Sequence, residues 1–229
     1  MAKDSLPPDE AAHRAIREQL AQPPVVELPL PGRTLRLTSA WGLFSAKAID
    51  EGTALLLAEL VALPPPARAL DFGCGYGALG LALAALWPRC EVALIDKDVE
   101  AVEACAANIA ANGLTNAQAS LSPGFRDAPA GPYDLIVSNL PAQAGNEALD
   151  AILLGAWERL GPGGSLVVVS VTGLRRYVRR RMEAVFGNYH KARQGPRHTV
   201  AQGVRAPTND VQGVRAPTNG AQGVRAGTG

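Results

Sequence analysis

The stretch LDFGCGYGALG, residues 70–80, joins a short apolar run to a glycine-rich loop and the first turn of a predicted helix. Gly75, Gly77 and Gly80 form a literal G-x-G-x-x-G, the spacing that lets a backbone approach a pyrophosphate. Asp71 stands just before this loop, and its charge would repel a phosphate but suit an ammonium group. The stretch therefore predicts a strand, a ligand-binding loop and a helix, and leaves the class of ligand open.

Apolar runs and helical patterns alternate on both sides of this stretch. The predicted strands cover 67–73, 91–96, 117–122, 133–139 and 165–171, and the predicted helices cover 50–63, 78–87, 99–111, 146–159 and 173–186. Gly161–Gly164 is predicted as a turn, and 201–206 as the end of a last strand. Such alternation is typical of a parallel sheet with right-handed crossovers. The sequence therefore predicts an α/β fold, a doubly wound, Rossmann-like, mostly parallel sheet with helices on both faces.

The two ends of the chain depart from this alternation. Residues 1–40 are predicted to form an N-terminal extension, with a helix over 11–21 and then one or two edge strands, because prolines there exclude a helix. The α/β domain itself is assigned to 41–206. Residues 207–229 continue a ten-residue repeat rich in Gly, Pro, Thr and Asn, which cannot bury a core and is expected to be disordered.

Composition narrows the class of protein. The chain has 229 residues, of which 47% are hydrophobic and 19% charged, as in ordinary globular proteins. No apolar run approaches a membrane span, and the first residues are polar and acidic, so a cytoplasmic location is expected. Three cysteines without a C-x-x-C pair and three scattered histidines lead us to predict no metal site.

Charge is distributed unevenly along the chain. Residues 1–173 carry a net charge of −8, whereas residues 174–229 carry +9. Arginines 175, 176, 179 and 180 fall on one face of the last predicted helix. This face either contacts the phosphates of a nucleic acid or is a solvated surface that balances an acidic domain, and both interpretations stay open here.

Two predicted strand-end carboxylates, Asp71 and Asp96, bear on which ligand the loop binds. S-adenosylmethionine carries an ammonium group, a sulfonium and no phosphate, so it suits Asp71 better than a dinucleotide does. Asp96, at the end of the next predicted strand, fits a ribose diol in either ligand. The alternative for Asp71 is a cap on the loop or on the following helix.

Three motifs in order carry a resemblance to a known family. D-F-G-C-G-Y-G, then I-D, then D-L-I-V-S-N-x-P resemble class I S-adenosylmethionine-dependent methyltransferases. The closer resemblance is to the "methyltransferase small" family, which includes ribosomal RNA guanine-N2 methyltransferases. G-L-F-S at 42–45 and D-E-G-T at 50–53 are similar to a segment that precedes the cofactor loop in that family. The resemblance covers residues 40–172.

The resemblance implies a role for each matching residue. Among the cofactor-binding residues, Asp71 would bind the methionine amino group, and Asp96 and Lys97 would lie beside the ribose. The backbone would approach the cofactor closely at Gly73, Gly75 and Gly77. The wall of the pocket would be formed by Phe44, Gly52 and Thr53. Asn139 and Pro141 would face the methyl acceptor. RNA is the implied partner. Outside the matching segment, the charge of the last predicted helix makes four arginines the candidate contacts to it: Arg175, Arg176, Arg179 and Arg180.

The chain departs from the family pattern at the acceptor motif. The family usually has N-P-P followed by an aromatic or other large residue, whereas this chain has Asn139-Leu140-Pro141-Ala142. Asn139 can still orient an amino group, but Ala142 cannot stack on a base, so Trp41 or Phe44 is the candidate for that role. Pro123 occupies a position where the family often has an Asp for adenine, and the family's extra N-terminal domain corresponds here to about 40 residues.

The sequence thus predicts a methyltransferase that uses S-adenosylmethionine and acts on a base amino nitrogen in RNA, guanine N2 first. A methyltransferase for a protein amide or a small molecule is the alternative, because Ala142 removes the stacking residue. A non-catalytic nucleotide-binding module or a nicotinamide enzyme is the third hypothesis, favoured by the literal G-x-G-x-x-G and opposed by Asp71.

Overall fold

The computed structural model describes residues 10–43, residue 45 and residues 47–207. The prediction for Phe44 and the prediction of a disordered tail from Thr208 onwards lie outside the described residues.

Within these limits, helices and strands alternate as the sequence predicts. The helices are α1 (Glu10–Ala21), α2 (Glu51–Leu60), α3 (Ala78–Leu86), α4 (Val99–Ala111), α5 (Asn146–Arg159) and α6 (Arg175–Phe186), with a short 3-10 turn at Thr172–Leu174. The strands are β1 (Val25–Leu30), β2 (Arg33–Thr38), β3 (Arg68–Phe72), β4 (Glu91–Asp96), β5 (Ala117–Leu121), β6 (Tyr133–Asn139), β7 (Leu160–Val171), β8 (His190–Gln194) and β9 (His198–Val204).

The main sheet has seven strands in the order β5-β4-β3-β6-β7-β9-β8. Strands β3 to β7 run parallel to one another, and β9 and β8 add an antiparallel edge beside β7. Neighbouring residues of β6 point to opposite faces: Val137 packs in the core under α2, α3 and α4, whereas Ile136 packs in the core under α5 and α6. The predicted doubly wound α/β fold is confirmed.

The hairpin of β1 and β2 shares the core of the main domain. Its Leu28, Leu35 and Leu37 are buried in the same cluster as the residues of α3. The Asn108 side chain of α4 accepts the Thr38 N–H at 2.8 Å and donates to the Thr38 carbonyl oxygen, also at 2.8 Å. The predicted domain boundary after residue 40 therefore does not correspond to a break in packing.

The far edge of the sheet differs from the prediction. The sequence predicts a turn at Gly161–Gly164, but these residues form the irregular first part of β7. They are held there by Arg205, whose carbonyl accepts the Gly163 N–H and whose N–H donates to the Gly164 carbonyl, both at 2.8 Å. Strand β9 runs from His198 to Val204, so the strand end predicted at 201–206 stops two residues earlier than predicted. Strand β8 has the sequence HKARQ, whose lack of apolar alternation gives no strand signal.

Gly80→Ala is expected to lower the free energy of unfolding. A Cβ at this position would overlap the fully buried side chain of Leu94, and overpacking of this kind costs about 1–3 kcal/mol. Better helix propensity offsets roughly 1 kcal/mol of that cost. Urea unfolding measures the change, and Gly173→Ala is the matched control, since a Cβ there meets no described atom within 4 Å. Equal stability of the two variants would contradict the tight packing of α3 on β4.

Candidate cofactor and acceptor site

The candidate site lies where the strand order of the sheet reverses. β4 lies on one side of β3 and β6 on the other, so the helices that follow β3 and β6 cover opposite faces. Open α/β sheets bind ligands in the crevice at the carboxyl ends of such strands. Asp71 in β3, Asp96 in β4 and Asn139 in β6 all lie at or beside these ends.

The glycine loop is built for a close approach of the backbone. Gly73, Gly75 and Gly77 have φ angles of +72°, +54° and +95°, a region that favours glycine. A Cβ at Gly73 or Gly75 would meet no described atom within 4 Å, so the backbone there faces open space. At Gly77 it would overlap Leu81 and approach the Cys105 Sγ. The first two glycines thus face the crevice and the third faces the core.

Asp71 is buried, with 1% of its surface exposed. Its Oδ2 accepts the Gly80 N–H at 2.8 Å, so one oxygen caps the start of α3. Its Oδ1 is buried and has no hydrogen-bond partner among the described residues. Burial raises the pKa of the Asp71 carboxyl to about 7, against the lowering effect of the Gly80 bond and with a smaller raising effect of Asp96. The capping interpretation and a ligand-binding role therefore use different oxygens.

Asp96 is half-buried and holds the loop from the next strand. Its Oδ2 accepts the Gly75 N–H at 2.9 Å, and its Oδ1 accepts the Asp98 N–H at 3.1 Å. Each carboxylate oxygen has a second lone pair, so the group can still accept hydroxyl protons. Lys97 follows at an exposed position.

Asn139, at the end of β6, contacts the start of α2. Its Nδ2 donates to the Asp50 Oδ1 at 3.1 Å and to the Thr53 Oγ1 at 3.0 Å. Both amide protons therefore point into the protein, and no described residue donates to the amide oxygen. Thr53, predicted as part of the cofactor wall, is brought to Asn139 by this contact.

The departure from N-P-P has a structural reason. Leu140 keeps a backbone N–H, which donates to the Val169 carbonyl at 2.9 Å and extends the pairing of β6 with β7. Its side chain is buried, with 2% exposed, in the core under α5 and α6. Pro141 and Ala142 are exposed. The motif thus keeps Asn139 and Pro141 and uses the intervening residue for packing.

Comparison with known families decides the class of this domain. Residues 34–202 match the family model described as the methyltransferase small domain. The chain belongs to the methyltransferase small domain family. The family suggested by the three sequence motifs is thereby confirmed.

Two relatives of the chain are named as ribosomal RNA methyltransferases. The chain is 40% identical over 153 residues to ribosomal RNA small subunit methyltransferase C of Pseudomonas entomophila, covering 65% of this chain and 45% of the relative. It is 30% identical over 181 residues to ribosomal RNA large subunit methyltransferase G of Streptomyces avermitilis, covering 77% and 47%. The chain spans about half the length of the curated relatives it matches.

A solved structure shows the same likeness. The T. thermophilus 16S rRNA guanine-N2 methyltransferase, solved in complex with AdoMet and guanosine, superimposes with a TM-score of 0.70 at 27% identity. The match covers 79% of this chain and 50% of that one.

The basic face of this methyltransferase small domain begins at the same edge of the sheet as Asn139, because α6 follows the end of β7. Arg175 is half-buried and Arg176, Arg179 and Arg180 are exposed. Arg179 bonds Glu183 of its own helix at 2.9 Å, and the Arg180 guanidinium lies 5.4 Å from the centre of the Tyr177 ring. These four residues of α6 are called the arginine face, and three of them are exposed.

The sequence did not predict the contact between α2 and Asn139. In the sequence Asp50 is the first residue of a predicted helix and of the D-E-G-T segment, and in the structure it caps α2, since its Oδ1 accepts the Thr53 N–H at 3.0 Å. Its second contact, to Asn139, spans 89 residues and has no local signal. Trp41, a candidate for stacking, donates its indole N–H to the Leu20 carbonyl at 3.1 Å.

In the part of the chain that the structure describes, no helix is both long and apolar enough to cross a membrane. The same residues contain no cluster of three His, Cys, Asp or Glu side chains suited to a metal ion. Cys74, Cys90 and Cys105 are buried free thiols.

Proposed function

We propose that this chain is an S-adenosylmethionine-dependent methyltransferase that methylates the exocyclic amino nitrogen, N2, of a guanine in ribosomal RNA. The observation that carries the proposal is the Asn139 amide, which gives both protons to Asp50 and Thr53 and leaves its oxygen for an amino group. The names and the solved complex of the relatives support the same acceptor.

The residues of the crevice fit the cofactor. The buried Asp71 Oδ1 lacks a donor among the described residues, and an ammonium group supplies one. Asp96 has lone pairs left for a ribose diol. The open space beside Gly73 and Gly75 lets the backbone approach the ligand. When bound, S-adenosylmethionine supplies a methyl group already activated by its sulfonium.

Because the methyl donor is already activated, the chain has to orient and desolvate the acceptor rather than attack it. The Asn139 oxygen accepts one N–H of the acceptor's amino group and directs the nitrogen lone pair towards the methyl carbon. Leu140 N–H, bonded to Val169, fixes the backbone that carries this amide. The chain needs no nucleophilic side chain for this reaction, and the methylated nitrogen releases one proton to water.

The arginine face supports an RNA acceptor. Its four guanidinium groups lie on α6, which starts at the edge of the sheet where the acceptor enters, and they can neutralise backbone phosphates. Arg181, which follows them, is instead paired with Asp150 of α5 at 2.6 Å. We therefore assign RNA contact to Arg175, Arg176, Arg179 and Arg180 and a structural role to Arg181.

The proposal is tested by offering methyl-labelled cofactor with three acceptor pools: total RNA, total protein and a metabolite extract. We expect label in RNA alone. Label in protein or in small molecules, with unlabelled RNA, would overturn the RNA assignment and favour the alternative that the missing stacking residue at Ala142 suggests.

Replacing the four residues of the arginine face by glutamine is expected to weaken RNA binding and to flatten its salt dependence. Each lost phosphate contact lowers the slope of log K against log salt by about 0.7–0.9. Binding titrations at several salt concentrations measure the slope. The control is Arg14→Gln with Arg17→Gln on exposed α1, which removes positive charge elsewhere. An equal change in both variants would show a non-specific charge effect.

Cofactor affinity is expected to fall as the pH drops below about 7. The Asp71 pKa is raised to about 7 in the free protein, so below that pH the carboxyl holds a proton that must leave before it can pair with an ammonium group. Each further pH unit then weakens binding by about tenfold. The raised pKa also affects folding. Between about pH 4 and 7 the Asp71 carboxyl is ionised in the unfolded chain but still protonated in the folded one, so the free energy of unfolding falls as the pH rises through this range.

Calorimetric titration of the demethylated product, S-adenosylhomocysteine, between pH 5.5 and 8 measures this dependence. Asp71→Asn is the control and is expected to bind weakly at every pH, with a flat profile. A wild-type affinity that stays constant down to pH 5.5 would contradict an ionised Asp71 in the complex.

A further inference from the structure

The hydrogen bonds of Asn139 fix which way its amide faces. A carboxylate oxygen only accepts hydrogen bonds, so the group of Asn139 that faces the Asp50 Oδ1 at 3.1 Å has to be the amide nitrogen. Flipping the amide would place its oxygen against the Asp50 carboxylate oxygen, two acceptors with no proton between them. The Thr53 Oγ1, 3.0 Å from the same nitrogen, accepts the second amide proton in the observed orientation. The amide oxygen is therefore held on the other side.

The Asp50 carboxylate is itself held in place. The residue is the N-cap of α2, and the same Oδ1 that accepts from Asn139 accepts the Thr53 N–H at 3.0 Å. Gly52 is buried, and a Cβ there would come within 2.9 Å of the His198 ring, so the start of α2 packs closely on β9. Thr53 is 6% exposed. The start of α2 thus forms a rigid acceptor of two oxygens for the Asn139 amide.

We propose that Asp50, assisted by Thr53, is the positioning residue that sets the polarity of the Asn139 amide and so selects acceptors that present an N–H. The inference rests on the proposed function, because it specifies how Asn139 recognises an amino group. Asp50 thereby joins the residues that recognise the acceptor, although it lies far from the acceptor motif in sequence and outside the cofactor loop. An acceptor atom with only lone pairs would face the Asn139 oxygen and be repelled.

The first test separates this role from the cap. Asp50→Ser keeps an N-cap side chain for α2 but is too short to reach Asn139 as well. We expect kcat to fall about tenfold or more, with cofactor affinity within about twofold of wild type. Thr53→Val removes only the neutral acceptor, and its expected loss is about two- to tenfold. Asp98→Ser makes the same change at the N-cap of α4 and measures the stability cost of the substitution alone.

The second test asks whether Asp50 acts through Asn139. In the Asn139→Ala background, adding Asp50→Ser should cause no further loss of kcat, because the amide that Asp50 positions is gone. Single-turnover transfer of labelled methyl groups to RNA is sensitive enough for both variants. Full activity of Asp50→Ser in the wild-type background, or losses that multiply in the double variant, would overturn the inference.

A third measurement does not depend on activity. In wild type, the side-chain NH₂ protons of Asn139 should exchange slowly with solvent in NMR spectra, and in Asp50→Ser they should exchange faster. Equal exchange in the two proteins would overturn the inference. If the wild-type protein transferred no methyl group to any acceptor, the proposed function would fail, and these resonances would still decide the role of Asp50.

Discussion

Asn139→Ala is expected to lower kcat for methyl transfer by about 100-fold, the scale of a misplacement of the reacting group by about 1 Å. Cofactor affinity should stay within about twofold, because the lost bond orients the acceptor and not the cofactor. The side chain lies at the end of β6, and both its amide protons bond Asp50 and Thr53, so its oxygen is the atom left to bind an acceptor.

The control for this variant is its neighbour in the strand. Ser138→Ala removes a buried hydrogen bond of 2.9 Å to the Phe72 carbonyl and should cost stability while kcat is retained. Single-turnover transfer and calorimetric cofactor binding are measured for both variants. An Asn139→Ala protein with wild-type kcat, or with weakened cofactor binding as its main defect, would contradict the assignment of Asn139 to the acceptor.

Asp71→Asn is expected to weaken binding of S-adenosylmethionine by roughly 10- to 150-fold at pH 8. A hydrogen bond to a charged group contributes about 1.5–3 kcal/mol, and the variant replaces a carboxylate by a neutral amide at the buried Oδ1. An amide oxygen can still accept the Gly80 N–H, so the cap on α3 survives. The free protein should be as stable as wild type or more so, because a buried ionised group is removed.

Calorimetric titration with S-adenosylmethionine and, separately, with NAD measures the affinity of wild type and of Asp71→Asn for each ligand. Wild-type protein should bind the first ligand and not the second. Unchanged affinity in Asp71→Asn would show that the ammonium group lies elsewhere. Tight binding of NAD without binding of S-adenosylmethionine would overturn the cofactor assignment altogether.

The parts of this domain that the sequence predicts are those with strong local signals. β3, β4 and β6 are apolar runs bounded by glycine, proline or polar residues, and the loop after β3 needs glycine at three positive φ angles. Burial in a two-faced sheet accounts for the apolar runs, and steric limits account for the glycines. The order of Asp71, Asp96 and Asn139 at strand ends then placed all three at one edge of the sheet.

The parts that the sequence did not predict depend on distant contacts. β8 is polar and becomes a strand only by pairing with β9. The irregular start of β7 depends on Arg205, and the role of Asp50 depends on a residue 89 positions away. None of these leaves a local pattern of hydrophobicity or turn residues. Of these three, the contact of Asp50 with Asn139 bears most directly on the proposed reaction.

The central claim is that this chain methylates the N2 amino group of guanine in RNA. The most direct measurement is mass spectrometry of nucleosides from ribosomal RNA that has been incubated with the purified chain and isotope-labelled S-adenosylmethionine. We predict that labelled N2-methylguanosine appears with wild-type protein and is reduced about 100-fold with Asn139→Ala. Label in another nucleoside, or an equal yield of N2-methylguanosine from the two proteins, would contradict this account.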